Sequence, residues 1–302
     1  MKSHLSWRDA VLALAVVLVW GTNFVVIRLG LNALPPLFFA SLRFFFVLVP
    51  AFLFLPRPKV AWGNLALYGV CIGLIQFGLL FIAMNGHISP GLASLVVQMQ
   101  VFFTIALAMW RTGERIKPHQ MAAFALAIAG MGVIAAHNGQ GTSMLGVVLV
   151  LMAALGWALG NQASRETGRE QIKLNMLAYV VWASLFAVPP LLALSLLMEG
   201  PAAIANGLRH ASLTTWAAVA YQSAGNTMFG YACWAWLLSR YPAATVAPMS
   251  LLVPVIGFAS SAIILGEPLP PWKIGATLLI MAGLAINLLW RPRKIAISGE
   301  AS

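Results

Sequence analysis

Ten apolar runs of roughly 20 residues occupy nearly the whole chain, and no other feature narrows its possible folds so far. A run of that length crosses bilayer hydrocarbon as an α-helix, because a backbone without water must satisfy its own N–H and C=O groups. The runs lie at 8–28, 35–55, 62–84, 90–110, 118–137, 143–162, 174–198, 212–236, 243–265 and 272–290. They are continuous rather than alternating, which excludes barrel strands. Polar or Gly/Pro-containing breaks separate them, among them Pro56-Arg57-Pro58, His137-Asn138-Gly139 and Gly266-Glu267-Pro268. Of the 302 residues 61% are hydrophobic and 8% charged, whereas a water-facing surface needs about a quarter charged. The expected fold class is an all-α integral membrane protein.

The net charge of +11 does not signal a nucleic-acid partner. Lys and Arg occur one to three at a time between apolar runs and build no continuous face for a phosphate backbone. Cys71 and Cys233 lie inside apolar runs without metal-ligand spacing, and read as small hydrophobes. The five histidines, at 4, 87, 119, 137 and 210, are scattered, so no enzyme, metal or cofactor constellation is expected. Lys2 and Arg8 precede the first run as they would in a signal peptide, but the run continues to Ile27 without a small-residue cleavage site. It is read as a span. Residues 291–302 are expected to form a short cytoplasmic tail.

The chain is duplicated. Phe77-Gly78 and Pro90 recur as Phe229-Gly230 and Pro242 at a spacing of 152, and Gly113-Glu114 and Ala129-Gly130 recur as Gly266-Glu267 and Ala282-Gly283 at 153. The expected units are 8–137 and 143–290, five spans each. Five is odd, so the second unit enters the membrane upside down. Inverted repeats are the architecture of many secondary transporters, with the substrate site near mid-depth where the halves meet. Fourteen Lys and Arg fall on one side of the ten spans and three, Arg28, Arg209 and Lys273, on the other, which puts both termini in the cytoplasm.

The segment Trp20 to Arg28 (WGTNFVVIR), Ser41 to Phe44 (SLRF), the Gly-Glu pairs closing the fourth and ninth spans and the AG-containing spans after them resemble the EamA family of the drug/metabolite transporter superfamily. The resemblance covers roughly 8–290 and is greatest to the YddG-type amino acid exporters. It implies ten helices, a bacterial inner-membrane location and a central cavity between the halves.

Polar groups within spans are costly unless they meet a cavity or a partner. Trp20 and Asn23 share a face of the first span, and Trp157 and Asn161 share one of the sixth. An inverted repeat would set these pairs opposite each other, to stack on a substrate and bond it; the other reading is interfacial Trp and helix-joining Asn. Gln76 lies in the third span, and Gln98 and Gln100 lie in the fourth, about 200° apart on an α-helix. They either line the cavity or join helices. The eighth span offers Gln222 and Asn226 on one face, with Tyr221, Tyr231 and Trp234 around it, a lining suited to a neutral or zwitterionic solute. Arg43, roughly 12 Å deep, either holds a substrate carboxylate or fixes the second span by bonding carbonyls. No Asp or Glu falls mid-span. The candidate site residues are therefore Trp20, Asn23, Arg43, Gln76, Gln98, Trp157, Asn161, Tyr221 and Asn226.

The expected function is export of small metabolites, amino acids including aromatic ones, by alternating access. Efflux of drugs is the alternative, and a membrane sensor or scaffold is a third reading from a different class. The expected partners are a small-molecule substrate and the lipid bilayer; oligomeric state, coupling ion and exact substrate stay open.

Overall fold

The computed structural model describes residues 6–113, 115–139, 141–170 and 174–290. Glu114 and the 291–302 tail, both part of the sequence reading, lie outside these. The described chain is almost wholly helical. Its long helices are α1 (Trp7–Gly30), α2 (Pro36–Phe54), α3 (Trp62–Met84), α4 (Pro90–Arg111), α5 (Pro118–Ala136), α6 (Met144–Glu170), α7 (Met176–Met198), α8 (Leu213–Ala220 continuing through Tyr221–Phe229 and Gly230–Arg240), α9 (Ala247–Leu265) and α10 (Pro271–Leu289). Among the described residues, nine of these are both long and apolar enough to cross a membrane. The remaining one, α8, is long enough but carries Gln222, Ser223, Asn226 and Thr227 at its centre. The connection after α7 forms a short helix, Pro201–Arg209.

Local chemistry sets the helix ends. Pro36, Pro90, Pro118 and Pro271 open α2, α4, α5 and α10, where the absent N–H has no partner to lose. Ser6, Asn175 and Ser212 accept from the backbone N–H groups of Asp9, Ala178 and Thr215 and so cap α1, α7 and α8. Gly113 and Gly266 end α4 and α9 with φ of 69° and 66°, a left-handed turn that favours glycine.

The irregular turns repeat with the sequence. Val70–Gly78 in α3 and Tyr221–Phe229 in α8 are both π-helical, and Val97–Met99 and Ala247–Leu251 are both 3₁₀. Each pair falls within two residues of the spacing of the duplication.

The inversion is visible where α5 packs on α10. His119 at the start of α5 stacks on Trp290 just past the end of α10, and His137 just past the end of α5 stacks on Trp272 at the start of α10, so the two helices are antiparallel. Tandem copies pointing the same way would set them parallel. The contacts obey a two-fold relation: a Cβ on Gly130 would meet Ile280 Cγ1 at 2.6 Å and the Ala276 carbonyl at 3.0 Å, and one on Gly283 would meet the Ala123 carbonyl at 2.6 Å and Ala127 N at 3.5 Å. Ala123 and Ala127 correspond to Ala276 and Ile280 at the repeat spacing. The fold is two inverted five-helix repeats. Their first helices are exchanged: α1 packs on α8 and α9, and α6 on α3 and α4. Exposed Leu53, Phe54, Ile128, Leu197, Ile263 and Leu278 give an apolar outer surface suited to lipid.

Candidate substrate site

Arg43, on α2, has no exposed surface. Its guanidinium is held by α8, a helix of the other repeat. Nε and Nη2 donate to Thr227 Oγ1 at 3.1 and 2.8 Å, and Nη1 donates to Gln222 Oε1 at 2.8 Å. With the Asn226 amide turned so that its oxygen faces these donors, Nη1 and Nη2 also reach it at 3.2 and 3.1 Å. All five guanidinium N–H groups then have acceptors. The ring of Phe77 lies against the cation, 3.5 Å from ring centroid to guanidinium carbon. Every one of these partners is neutral, and among the described residues no carboxylate pairs with Arg43. A positive charge therefore stands inside the membrane without a counter-ion.

The π-helical stretch is what gathers these acceptors. Thr227 Oγ1 donates to the Gln222 carbonyl five residues back, at 2.9 Å, the step at which a π turn closes. On an α-helix residues five apart do not share a face; here Gln222, Asn226 and Thr227 all meet Arg43.

Four of the expected residues converge on this cluster. Asn23 and Asn226 touch through their amides at 2.8 Å, and Trp20 Nε1 donates to the Asn226 carbonyl at 3.2 Å. The Trp20 ring lies 5.1 Å from Trp234 and 6.0 Å from Tyr231, an aromatic group directly beside the polar one. Tyr221 sits one turn away, its hydroxyl donating to the Val19 carbonyl at 3.0 Å and lying 2.6 Å from Thr22 Oγ1. Sequence reasoning passed over Thr227, because an α-helical period places it off the Gln222 face.

None of the other four residues hydrogen-bonds to Arg43. Asn161 on α6 donates to Gln100 Oε1 on α4 at 3.3 Å. Trp157, one turn before it, is partly buried against the core. Each Trp-Asn pair thus finds its amide partner on a helix of the opposite repeat, α8 for one and α4 for the other. Gln98 is buried, and so is Gln76, whose Oε1 has no hydrogen-bond partner.

A second polar cluster closes one end of the bundle. Glu267, in the turn between α9 and α10, accepts from Lys273 Nζ at 2.8 Å, from Gly91 N at 3.0 Å and from the hydroxyls of Ser89 and Ser261. Its carboxylate therefore caps the N-terminus of α4, where the helix dipole favours negative charge. Burial pushes the Glu267 carboxyl up, but the Lys273 ammonium, the two hydroxyls and the Gly91 N–H outweigh burial and hold it below its ordinary value of 4.5. At the opposite end, Tyr241 donates to Asp9, and Arg111 pairs with Glu166.

Comparison with known proteins agrees with this architecture. The profile of the EamA-like transporter family matches residues 7–136 and again residues 144–289, one match per repeat. A probable amino-acid metabolite efflux pump of Salmonella typhimurium is 44% identical over 299 residues, covering 98% of this chain and 100% of its own. Its counterpart in Escherichia coli is 44% identical over 292 residues, covering 95% and 98%. A probable terminal-alkyne amino-acid exporter of Streptantibioticus cattleyicolor is 27% identical over 304 residues, covering 96% and 98%. A solved crystal structure with 18% identity superimposes at a TM-score of 0.61 over 93% of this chain and 96% of its own, a likeness of fold.

Proposed function

The chain belongs to the EamA-like transporter family, and from that membership we propose that it exports amino acids, including aromatic ones, from the cytoplasm across a bacterial inner membrane. Relatives at 44% identity that carry the name of amino-acid metabolite efflux pumps support the substrate class. The excess of Lys and Arg on one side of the spans supports termini in the cytoplasm. Residues 8–137 and 143–290 are the two units that rock against each other, opening a mid-depth site to each side in turn.

The observation that carries the reading is the uncompensated charge of Arg43. At low dielectric it favours a ligand that brings a carboxylate and rejects one that is only cationic. Trp20, Tyr231 and Trp234 offer the neighbouring rings for an apolar or aromatic side chain and for the face of an ammonium group. Gln222, Asn226 and Thr227 hold the guanidinium in place and supply the uncharged polar edge.

The test is a counterflow screen of the twenty amino acids and a set of lipophilic cations in proteoliposomes of the whole protein. Uptake of labelled phenylalanine is expected, with a loss of tenfold or more in Trp20→Ala and in Arg43→Gln. Carriage of lipophilic cations and of no amino acid would overturn the reading in favour of drug efflux.

A further inference from the structure

Where the C-terminal ends of α1 and α9 meet the N-terminal end of α4, an open cavity of about 360 Å³ is lined by Arg28, Asn32, Ser89, Ser261, Leu265 and Glu267. That volume lies in the range of about 300–1,000 Å³ typical of small-molecule sites. Its two charged groups are in opposite situations. Glu267 is neutralised by Lys273 and bonded by Ser89, Ser261 and Gly91. Arg28 is only half-buried, and has no carboxylate or hydrogen-bond partner among the described residues.

Arg28 is placed rather than stray. It occupies the last turn of α1, where the carbonyl end of the helix favours a cation. Asn32 lies four residues on, just past the helix end, and is exposed to the same cavity. A guanidinium with free donors beside an amide is a fork for a carboxylate. The hydroxyls of Ser89 and Ser261 and the carboxylate of Glu267 line the same cavity. An unpaired guanidinium and a group of hydroxyl and carboxylate oxygens in one cavity are what the two ends of a zwitterion need.

We propose that this vestibule is a second binding site, at which an exported amino acid rests with its carboxylate on Arg28 and Asn32 and its ammonium group toward Ser89 and Glu267. The proposal rests on the amino-acid export reading for its ligand. That reading also puts the vestibule on the extracytoplasmic face, so the site is an exit station beyond the Arg43 cluster.

The site is tested by protection. In the whole protein carrying Cys71→Ala, Cys233→Ala and Leu265→Cys, a membrane-impermeant maleimide is expected to label position 265, which lines the cavity without a role in the proposed binding, and external phenylalanine to slow that labelling. Phenylalanine methyl ester, which has the ring and ammonium group without the carboxylate, is expected to protect at least tenfold less well, the range of one lost charged hydrogen bond. Arg28→Gln added to this chain is expected to raise the half-protecting phenylalanine concentration at least tenfold, and Arg28→Lys to raise it less. Failure to label position 265, equal protection by acid and ester, or protection indifferent to Arg28→Gln would overturn the site. The ester comparison needs no change at Arg28 and decides the matter if that variant does not fold. Counterflow in the same vesicles separates the two proposals: transport without protection removes the vestibule alone, and protection without transport removes the export reading alone.

Discussion

Replacing Glu267 by glutamine should destabilise the protein through the partner it abandons more than through the bonds it loses. Glu267 and Lys273 form a buried pair 2.8 Å apart, with side chains 6% and 3% exposed. Removing one member of such a pair leaves a buried charge without its counter-ion, at a cost of about 3–5 kcal/mol. The same carboxylate caps α4 through Gly91 N, a contribution of about 1 kcal/mol. Together these come to about 4–6 kcal/mol, and at about 2–4 °C per kcal/mol the apparent midpoint should fall by roughly 8–24 °C. Midpoints of purified Glu267→Gln and wild type, read as the temperature at which half the monodisperse protein is lost, measure this. The second arm is Glu267→Gln with Lys273→Met, which removes the stranded ammonium. Buried pairs replaced by apolar groups are often neutral, so the double variant should recover all but about 1 kcal/mol, the share of the cap. A single variant within 1 °C of wild type, or a double variant no better than the single, would refute the reasoning. The pH dependence has a fixed sign. Because the Glu267 carboxyl is held below 4.5 in the folded protein, its contribution is complete above that value and is lost as pH falls through the lower folded value. Wild-type midpoints should therefore drop on acidification below pH 4.5 more steeply than those of Glu267→Gln.

The two-fold contact of α5 and α10 predicts a contrast between glycines. Gly283→Val, whose Cβ would sit 2.6 Å from the Ala123 carbonyl, should cost about 1–3 kcal/mol by overpacking. Gly132→Ala and Gly275→Ala, which face open space, should be neutral or stabilising by up to about 1 kcal/mol; the same thermal assay checks both. Thr227→Val removes the oxygen that receives Arg43 Nε and Nη2 at 3.1 and 2.8 Å. It should destabilise by about 1.5–3 kcal/mol, the value of a hydrogen bond to a charged group, whereas Thr277→Val, whose hydroxyl bonds only its own helix at the Lys273 carbonyl, should change the midpoint by less than half as much.

Nearly all of the fold was legible, because a membrane admits so few backbone solutions. Apolar run length placed the spans, the odd number per copy required the inversion, and the histidine and tryptophan stacks at 119, 137, 272 and 290 confirm it. The site was legible only in part. Trp20 with Asn23, Asn226 with Gln222, and Arg43 alone stand out as polar groups that hydrocarbon would not tolerate unpaired, and that rule groups residues on one helix without saying which helices meet. Trp157, Asn161, Gln76 and Gln98 obey the same rule and make no hydrogen bond to Arg43. Thr227 was invisible because its place depends on a π turn, which alters the angular step by one residue and has no simple compositional mark. The partner of Arg43 was likewise hidden, since a cation in hydrocarbon suggests an anion or carbonyls and the structure supplies amide and hydroxyl oxygens.

The polarity of α8 and the burial of Arg43 explain each other. Arginine at the centre of a lone helix costs at least about 2.5–3.5 kcal/mol to insert, and α8 alone would carry the amides of Gln222 and Asn226 into hydrocarbon without a partner on another helix. Packed together, five donors meet their acceptors, and Arg43, Gln222, Asn226 and Thr227 are all buried. Because α2 and α8 belong to different repeats, this exchange also fastens the halves at mid-depth. A contact of five bonds with no solvent access is a poor candidate for one that opens in every cycle. Under alternating access the moving contacts are then the ones at the two ends, Glu267 against Ser89 and Gly91 on one face, and Asp9 with Tyr241 and Arg111 with Glu166 on the other. Arg43 serves in that scheme as the fixed point about which the repeats turn, and its charge biases what passes beside it without having to move.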